Sequence, residues 1–287
     1  MHRLLTGPLT VERVTVPIRD LPNWLDGCRI VQLSDFHFDG LRLSPWLLKA
    51  VKQKTQELSP DLIALTGDFV TDDPLPIFDL ADHLKDLPSQ YGIVAALGNH
   101  DNLSLKGRQT ITKALTATGV TVLWNDIAYP FGPEFPVVGL ADFWSREFTP
   151  EETLAALSPH TPRLVLSHNP DSAERLQQWR VDLQLSGHTH GGQIALPGIG
   201  PLPRLTQQTR VSLVRKATRL IPKFRRKCAR VVRHWEWAAG LYRVGDSWLY
   251  VNRGLGTYPP GRLFCPPELT VITLVRQPSA AKLPTRG

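Results

Sequence analysis

Five short stretches of the sequence combine aspartate, asparagine and histidine, whose oxygen and nitrogen atoms bind divalent metal ions. In chain order they read Asp35-Phe36-His37, Gly67-Asp68, Gly98-Asn99-His100-Asp101, Ser167-His168-Asn169 and Gly187-His188-Thr189-His190. Any one of them alone is more typical of a turn or a helix cap. None contains cysteine, and mixed nitrogen and oxygen ligands suit manganese, iron or zinc better than a thiolate-built structural zinc site. As an ordered set they predict a two-metal hydrolytic site.

Each stretch follows an apolar run that predicts a β-strand, so the strands must position the ligands. The predicted strands are Val11–Ile18, Arg29–Leu33, Leu62–Thr66, Gly92–Leu97, Val120–Trp124, Pro136–Leu140, Leu164–Ser167, Leu183–Ser186, Trp248–Asn252 and Leu269–Val275. The predicted helices are Pro45–Glu57, Leu75–Leu87, Lys106–Thr118, Pro150–Leu157 and Ser172–Trp179. Strands that alternate with helices indicate an α/β fold, and the lack of helices between later strands indicates a partly antiparallel sheet. Ligands in such folds bind at the carboxyl ends of strands, where the five stretches can converge.

The positive charge of the chain is local. The net charge is +7, yet eleven basic residues and no acidic ones lie between Arg204 and Arg233. Outside this segment the chain has 22 basic and 26 acidic residues, so the rest of the chain is net negative. This distribution favours one dedicated contact surface over a generally cationic protein.

The composition limits the class of protein and the cellular compartment that can be expected. No apolar run is long enough for a transmembrane helix, and the apolar region at the start is too short for a signal peptide. The three cysteines, Cys28, Cys228 and Cys265, have neither zinc-site spacing nor an even number for disulfides. We expect a cytoplasmic protein, with peripheral binding to the inner membrane as the alternative.

The ordered set of stretches resembles the calcineurin-like metallophosphoesterase superfamily, with all five motifs present between Asp35 and His190. The segment Gly187–Ile194 and the later Tyr250–Gly256 resemble a bacterial subgroup of membrane-associated phosphoesterases. The resemblance implies a four-layer α/β/β/α sandwich with two mixed sheets. Some members of the subgroup hydrolyse UDP-2,3-diacylglucosamine in lipid A synthesis.

The resemblance also implies a role for each motif residue. One metal ion would be bound by Asp35, His37 and His190. The other would be bound by Asn99, His168 and His188. Asp68 would bridge both ions, which we expect to be manganese, with iron or zinc as alternatives. His100 would act on the phosphate as a general acid or charge stabiliser, and Asp101 would orient it by accepting its other N–H.

Three further residues are candidates for substrate binding. Arg253, with Asn252, ends a predicted strand and could bind a phosphate with two N–H groups, or could instead pack over the loop as a turn residue. Asp142 follows another predicted strand and could face the site.

The chain is expected to form one domain, residues 1–276, with a basic amphipathic insertion at about 200–235 and a flexible tail at 277–287. Apolar residues recur at threes and fours in the insertion, and Pro222 would interrupt a helix there. Its charges favour an anionic membrane surface. A helix packed on the domain with a solvated basic face remains open, and nucleic acid is the weaker third interpretation because aromatic residues are sparse.

These observations predict a binuclear metal-dependent hydrolase that cleaves a phosphodiester or pyrophosphate bond by a metal-activated hydroxide. The basic segment favours an amphiphilic phosphate ester, such as a lipid or a lipid-linked sugar nucleotide. The alternatives are a nuclease or a soluble phosphodiesterase of the same superfamily. A non-catalytic scaffold is disfavoured because all seven predicted metal ligands are present.

Overall fold

Two six-stranded β-sheets pack face to face in the computed structural model, which describes residues 5–204 and 232–277. The strands of the first sheet are, in spatial order, β1 (Thr10–Ile18), β14 (Glu268–Arg276), β2 (Arg29–Leu33), β3 (Leu62–Leu65), β4 (Ile93–Ala96) and β5 (Val120–Leu123). Those of the second are β12 (Gly240–Val244), β13 (Ser247–Val251), β9 (Leu183–Ser186), β8 (Leu164–Leu166), β7 (Val137–Gly139) and β6 (Asp126–Ala128). A small hairpin joins β10 (Ala195–Leu196) to β11 (Gly200–Pro201).

Both sheets are mixed. The strands β2 to β5 run parallel to one another, and β14 pairs antiparallel with β2. In the second sheet β7, β8, β9 and β13 are parallel, while β6 and β12 are antiparallel edge strands. The carboxyl ends of the parallel strands in each sheet therefore share one edge.

Five helices cover the outer faces of the sheets. They are α1 (Pro45–Leu58), α2 (Ile77–Leu84), α3 (Leu105–Ala117), α4 (Pro150–Ala155) and α5 (Ser172–Leu176). The side chain of Ser44 caps α1 by accepting from the amide of Leu47 at 3.2 Å, and Pro45 occupies the first helical position.

Three apolar cores define four layers. The outer face of the first sheet packs against α1, α2 and α3, and the outer face of the second packs against α4 and α5. Between the sheets, Ile30 and Leu62 of the first pack in one cluster with Leu164 and Leu183 of the second. The central strands are apolar on both faces because both are buried. The predicted four-layer α/β/β/α sandwich is confirmed.

All ten predicted strands and all five predicted helices are present, with ends that differ by a few residues. The helix predicted over Leu75–Leu87 is shorter, Ile77–Leu84. The sequence did not indicate the edge strands β6 and β12. Strand β6 has only three residues. Strand β12 is partly exposed, and its alternation of apolar and polar residues is too weak to predict a strand.

Most of the basic insertion, residues 205–231, and the tail from 278 lie outside the described residues. Across 5–204 and 232–277, no helix is both long and apolar enough to cross a membrane.

Candidate metal centre

The carboxyl ends of strands from both sheets bring the five motif stretches together. His188 donates its backbone N–H to the Asp35 carboxylate at 3.0 Å, which ties the loop after β9 to the loop after β2. His168 contacts the carbonyl oxygen of Thr66 through Nδ1 at 2.6 Å, which ties the loop after β8 to the end of β3. Residues more than 100 positions apart thus surround one point between the sheets.

The backbone of five predicted ligands adopts the left-handed conformation. The φ angles are 51° at Asp35, 44° at His37, 55° at Asp68, 70° at His188 and 51° at His190. Side chains other than glycine rarely occupy this region, and each such residue costs about 1–3 kcal/mol. Such strain clusters at functional sites, where it turns side chains towards a common point.

The first group of ligand atoms comes from Asp35, His37 and His190. The Nε2 atoms of the two histidines are 3.1 Å apart, and Nε2 of His190 lies 3.3 Å from Oδ1 of Asp35. These three side chains are all buried or nearly so.

The second group comes from Asp68, His168 and His188. Nε2 of His168 lies 3.1 Å from Oδ2 of Asp68 and 3.2 Å from Nδ1 of His188. The side-chain oxygen of Asn99 is buried and has no hydrogen-bond partner. An orphaned buried amide oxygen is costly unless something else, such as a cation, binds it.

Asp68, a member of the second group, also lies near the first. Its Oδ2, close to His168 of the second group, also lies 3.6 Å from Nε2 of His37 in the first. A carboxylate in this position could bind two neighbouring ions.

The spacing within each group fits a divalent cation. Two nitrogen or oxygen atoms that each lie about 2.1 Å from one ion are roughly 3.0–3.4 Å apart at octahedral or tetrahedral angles. The separations of 3.1–3.3 Å within the groups fall in this range. Nitrogen and oxygen donors without sulfur also suit manganese, iron or zinc.

Burial keeps the histidines of the first group neutral. It lowers the pKa of His37 to about 3, and burial followed by the neighbouring His37 lowers the pKa of His190 well below its usual value. A neutral imidazole offers the lone pair that a metal requires. In the second group, burial raises the pKa of Asp68, but His168 and His100 outweigh it and hold that pKa well below its ordinary value.

Hydrogen bonds outside the centre set which nitrogen faces it. The Nδ1 atoms of His37, His168 and His190 contact Oη of Tyr258 at 3.0 Å, the carbonyl of Thr66 and the carbonyl of Gly256 at 3.3 Å. With a proton on Nδ1, the neutral imidazoles of His37 and His190 present an unprotonated Nε2 to the centre. At His168 burial lowers the pKa, but the neighbouring Asp68 outweighs burial and raises the pKa to about 10, so a cation that binds there would displace the Nε2 proton.

Tyr258 was missed by sequence reasoning. It follows the Tyr250–Gly256 segment by two positions, in a loop whose turn residues do not indicate a role. The guanidinium carbon of Arg42 lies 4.4 Å from the centre of its ring, and Arg42 forms an ion pair with Asp39. With its proton on Nδ1, His37 donates to Oη and leaves the hydroxyl proton of Tyr258 to donate elsewhere.

Asp101 does not accept from His100 as predicted. Its carboxylate accepts the backbone N–H groups of Asp68, Phe69 and Gly98 at 2.8–2.9 Å. The turn after β3 supplies the first two amides and the loop after β4 supplies the third, and a buried amide needs an acceptor. Asp101 therefore holds the loop of the shared carboxylate.

His100 uses a different partner. Its Nδ1 lies 2.7 Å from the carbonyl oxygen of Thr71, and its backbone N–H donates to Oδ1 of Asp68 at 2.9 Å. A ligand atom of His100 lies within 4.8 Å of ligand atoms of His37 and Asp68, so the ring borders the centre.

Asn252 and Arg253, both predicted to contact the substrate, have partners within the protein. Asn252 is fully buried, donates to Oγ1 of Thr270 at 2.8 Å and accepts from the Gly254 amide at 2.7 Å. The guanidinium of Arg253 pairs with Glu12 at 2.6 Å and with Glu268 at 2.9 Å. Two carboxylates thus pair with the guanidinium that was predicted to bind a phosphate.

Asp142 follows β7 at the same edge and is buried. Burial raises its pKa, opposed by His168 and reinforced by Asp68. Its Oδ1 has no hydrogen-bond partner.

Comparison with known proteins agrees with this geometry. Residues 28–192 match the family described as calcineurin-like phosphoesterase, which covers more than half of the chain and all five motif stretches. The chain belongs to this family. The metallophosphoesterase YkuE of Bacillus subtilis (strain 168), named as uncharacterized, is 34% identical over 88% of this chain and 81% of its own.

Two relatives of this calcineurin-like phosphoesterase have names that state an activity. The phosphodiesterase YaeI of Escherichia coli (strain K12) is 31% identical over 86% of this chain and 82% of its own length. The UDP-2,3-diacylglucosamine pyrophosphatase LpxG of Chlamydia muridarum (strain MoPn / Nigg) is 28% identical over 88% of this chain and 85% of its own. The family is one of metal-dependent phosphoesterases, and the chain is an enzyme of this class.

Proposed function

We propose that this metallophosphoesterase uses two divalent cations to hydrolyse a phosphodiester or pyrophosphate bond in a lipid-linked substrate. The observation that carries the hydrolytic proposal is the pair of adjacent ligand groups, each with separations suited to one ion, with Asp68 of the second group 3.6 Å from His37 of the first. The first ion would be held by Asp35, His37 and His190, and the second by Asn99, His168 and His188. We propose manganese as the natural metal.

The bound ions would supply electrostatic stabilisation of the phosphate oxygens and a water of lowered pKa. His100 donates through Nδ1 to Thr71, which leaves Nε2 to exchange a proton with the leaving oxygen of the substrate. Asp101 keeps the shared carboxylate in place through three backbone amides. Tyr258 orients His37 and presents its hydroxyl proton beside it.

A lipid-linked sugar nucleotide such as UDP-2,3-diacylglucosamine is the proposed substrate class. The support is the 28% identity to LpxG over most of both chains. The eleven basic residues between Arg204 and Arg233 agree with an enzyme that works on the inner-membrane surface from the cytoplasmic side.

A soluble phosphodiester is the second candidate, favoured by the 31% identity to the phosphodiesterase YaeI. A soluble phosphodiester has a different leaving group from the lipid-linked sugar nucleotide, and its hydrolysis requires no membrane.

A metal-by-substrate screen separates these possibilities. Protein stripped of metal is reloaded with manganese, iron or zinc and tested on an aryl phosphodiester, a soluble sugar-nucleotide pyrophosphate and UDP-2,3-diacylglucosamine in mixed micelles. We expect the lipid-linked pyrophosphate to give the highest kcat/KM, with manganese. Higher kcat/KM on the soluble diester would favour the second candidate.

Two variants test the mechanism in the same assays. Asp68→Ala is expected to lose both metal and hydrolysis, because both ion sites use that carboxylate. His100→Ala is expected to keep the metal, measured by elemental analysis, and to lose about 100-fold or more in kcat. Hydrolysis at the parental rate in both variants would refute the proposal.

A further inference from the structure

Arg262 is a buried cation in the loop between β13 and β14, and the sequence gave no sign of a role for it. The residue is 8% exposed. Its Nη2 donates to the backbone carbonyls of Arg253 at 2.9 Å, Gly254 at 3.1 Å and Gly256 at 2.7 Å. Among the described residues, all acceptors of the guanidinium are uncharged. Burial of a charge is costly, so these contacts point to a role in fixing the conformation of the loop.

Two further hydrogen bonds of Arg262 close the loop around its side chain. Nε donates to Oγ1 of Thr257 at 3.1 Å, and Nη1 donates to the carbonyl of Cys265 at 3.2 Å. The planar guanidinium presents five N–H groups in a fixed arrangement, which the ammonium of a lysine does not. Arg262 therefore gathers the backbone of residues 253–256 and the ends of the loop around one rigid group.

The gathered segment lies against two ligands of the first group. The amide of Gly256 donates to the backbone carbonyl of Asp35 at 2.7 Å. The carbonyl of Gly256 contacts Nδ1 of His190 at 3.3 Å, and it is the same carbonyl that Arg262 holds at 2.7 Å. A hydrogen-bond partner of this kind fixes the tautomer and the orientation of a metal-binding imidazole.

The second group has its supports in other loops. Nδ1 of His168 contacts the carbonyl of Thr66 at 2.6 Å, at the end of β3. The carboxylate of Asp101, in the loop after β4, accepts the amide of Asp68 at 2.8 Å. A displacement of the loop after β13 should therefore affect the first ion position more than the second.

We infer that Arg262 is a positioning residue for the first ion, because it fixes the carbonyl that orients His190 and the amide that holds Asp35. The inference rests on the proposed function, in which the first group binds a cation. The charge of Arg262 would act in the opposite sense, since a buried guanidinium repels a nearby cation. Removal of the guanidinium should therefore weaken the first ion if Arg262 positions its ligands, and strengthen it if the charge dominates.

Equilibrium dialysis of metal-stripped protein against Mn²⁺ tests the inference without any need for catalysis. The parent is expected to bind two ions per chain. Arg262→Met should bind one of them about 10- to 100-fold more weakly, as expected when the partner of a metal-binding imidazole is disturbed. Arg262→Lys keeps the charge and can reach part of the carbonyls, so it should recover part of the affinity.

Arg163→Met is the matched control. Arg163 is 1% exposed and also donates to backbone carbonyls, those of Thr161 at 2.9 Å and Leu154 at 3.5 Å. It precedes β8 and so lies at the end of that strand away from the ligands. Arg163→Met should lose stability in urea unfolding, as Arg262→Met does, and should keep both ions at the parental affinity.

Two ligand variants identify which ion is affected. His188→Ala removes a ligand of the second ion, and adding Arg262→Met to it should weaken the tight ion that remains. His190→Ala removes a ligand of the first ion, and adding Arg262→Met should leave the remaining ion unchanged.

The inference would be overturned by parental affinity for both ions in Arg262→Met, by tighter binding, by equal weakening of both ions, or by the same effect in Arg163→Met. If Arg262→Met does not fold, the same outcomes are measured on Arg262→Lys and on Thr257→Val, which removes one acceptor of the guanidinium.

The same proteins are assayed on a soluble aryl phosphodiester to distinguish the two proposals. A parent that binds two ions without hydrolysis would refute the proposed function and leave the role of Arg262 intact. Hydrolysis by the parent, with both ions unchanged in Arg262→Met, would do the reverse. A parent that binds fewer than two ions per chain would overturn both.

Discussion

Replacing Gly254 with alanine tests how the loop after β13 positions Asp35, a proposed metal ligand. Gly254 has a φ of 70°, and a Cβ added there would lie 2.6 Å from Cβ of Asp35. Carbon atoms in contact are about 3.5–4.0 Å apart, so one of the two must move by roughly 1 Å. Gly254 cannot retreat easily, because its carbonyl accepts from Arg262 at 3.1 Å and its amide donates to Asn252.

The expected loss follows from that displacement. A shift of about 1 Å in a catalytic constellation can lower the rate about 100-fold, which corresponds to about 2.7 kcal/mol in transition-state stabilisation. The left-handed backbone of an alanine adds about 1–2 kcal/mol to the free energy cost of folding. Gly254→Ala should therefore show weaker metal binding and a lower kcat/KM, together with a modest loss of stability.

Gly119→Ala is the matched control. Gly119 has a similar φ of 87°, but an added Cβ would meet no atom within 4 Å. It should lose the same conformational stability in urea unfolding and keep the metal affinity and kcat/KM of the parent. Calorimetric metal titration and hydrolysis of an aryl phosphodiester are measured on both variants. Parental metal affinity and activity in a folded Gly254→Ala protein would refute the claim that this loop sets the position of Asp35.

Two further predictions follow from contacts around the centre. Tyr258→Phe removes the hydroxyl 3.0 Å from Nδ1 of His37 and should weaken metal binding about 10- to 100-fold in calorimetric titration. The control Tyr242→Phe removes a hydroxyl that contacts the Ala239 carbonyl and should leave metal affinity unchanged. Equal metal affinities in the two variants would contradict a positioning role for Tyr258. Arg253→Met breaks the ion pairs with Glu12 and the buried Glu268 and should lower the free energy of unfolding by about 3 kcal/mol. The kcat/KM of the folded variant should equal that of the parent. A rise in KM without a change in kcat would show instead that Arg253 binds the substrate phosphate.

The sequence was informative about the strands and the ligand types because both are local properties. Apolar runs such as Ile30–Leu33 and Leu183–Leu185 mark central strands whose two faces are buried, and the residues just beyond them fall at the edge where ligands bind. The same reasoning failed for β6 and β12, which are edge strands with too little apolar pattern to be seen.

Roles that depend on contacts between distant residues were less predictable. Asp101 follows His100 directly, yet the turn after β3 directs its carboxylate to the amides of residues 68 and 69. Arg253 ends a strand at the ligand edge, yet Glu12 and Glu268 from two other strands lie closer to its guanidinium. These partners are distant in sequence from Asp101 and Arg253, so the spacing of residues along the chain could not reveal the contacts.

By itself, the sequence determined the set of metal-binding residue types, their order along the chain and the α/β class that brings strand ends to one edge. Only the tertiary structure decided which of the candidate ligand atoms lie together, with Asp68 between His37 and His168 at 3.6 and 3.1 Å. It also decided that Tyr258 contacts His37. The physical reason is that these relations depend on how two sheets pack and how side chains turn within loops, and neither is encoded in local spacing.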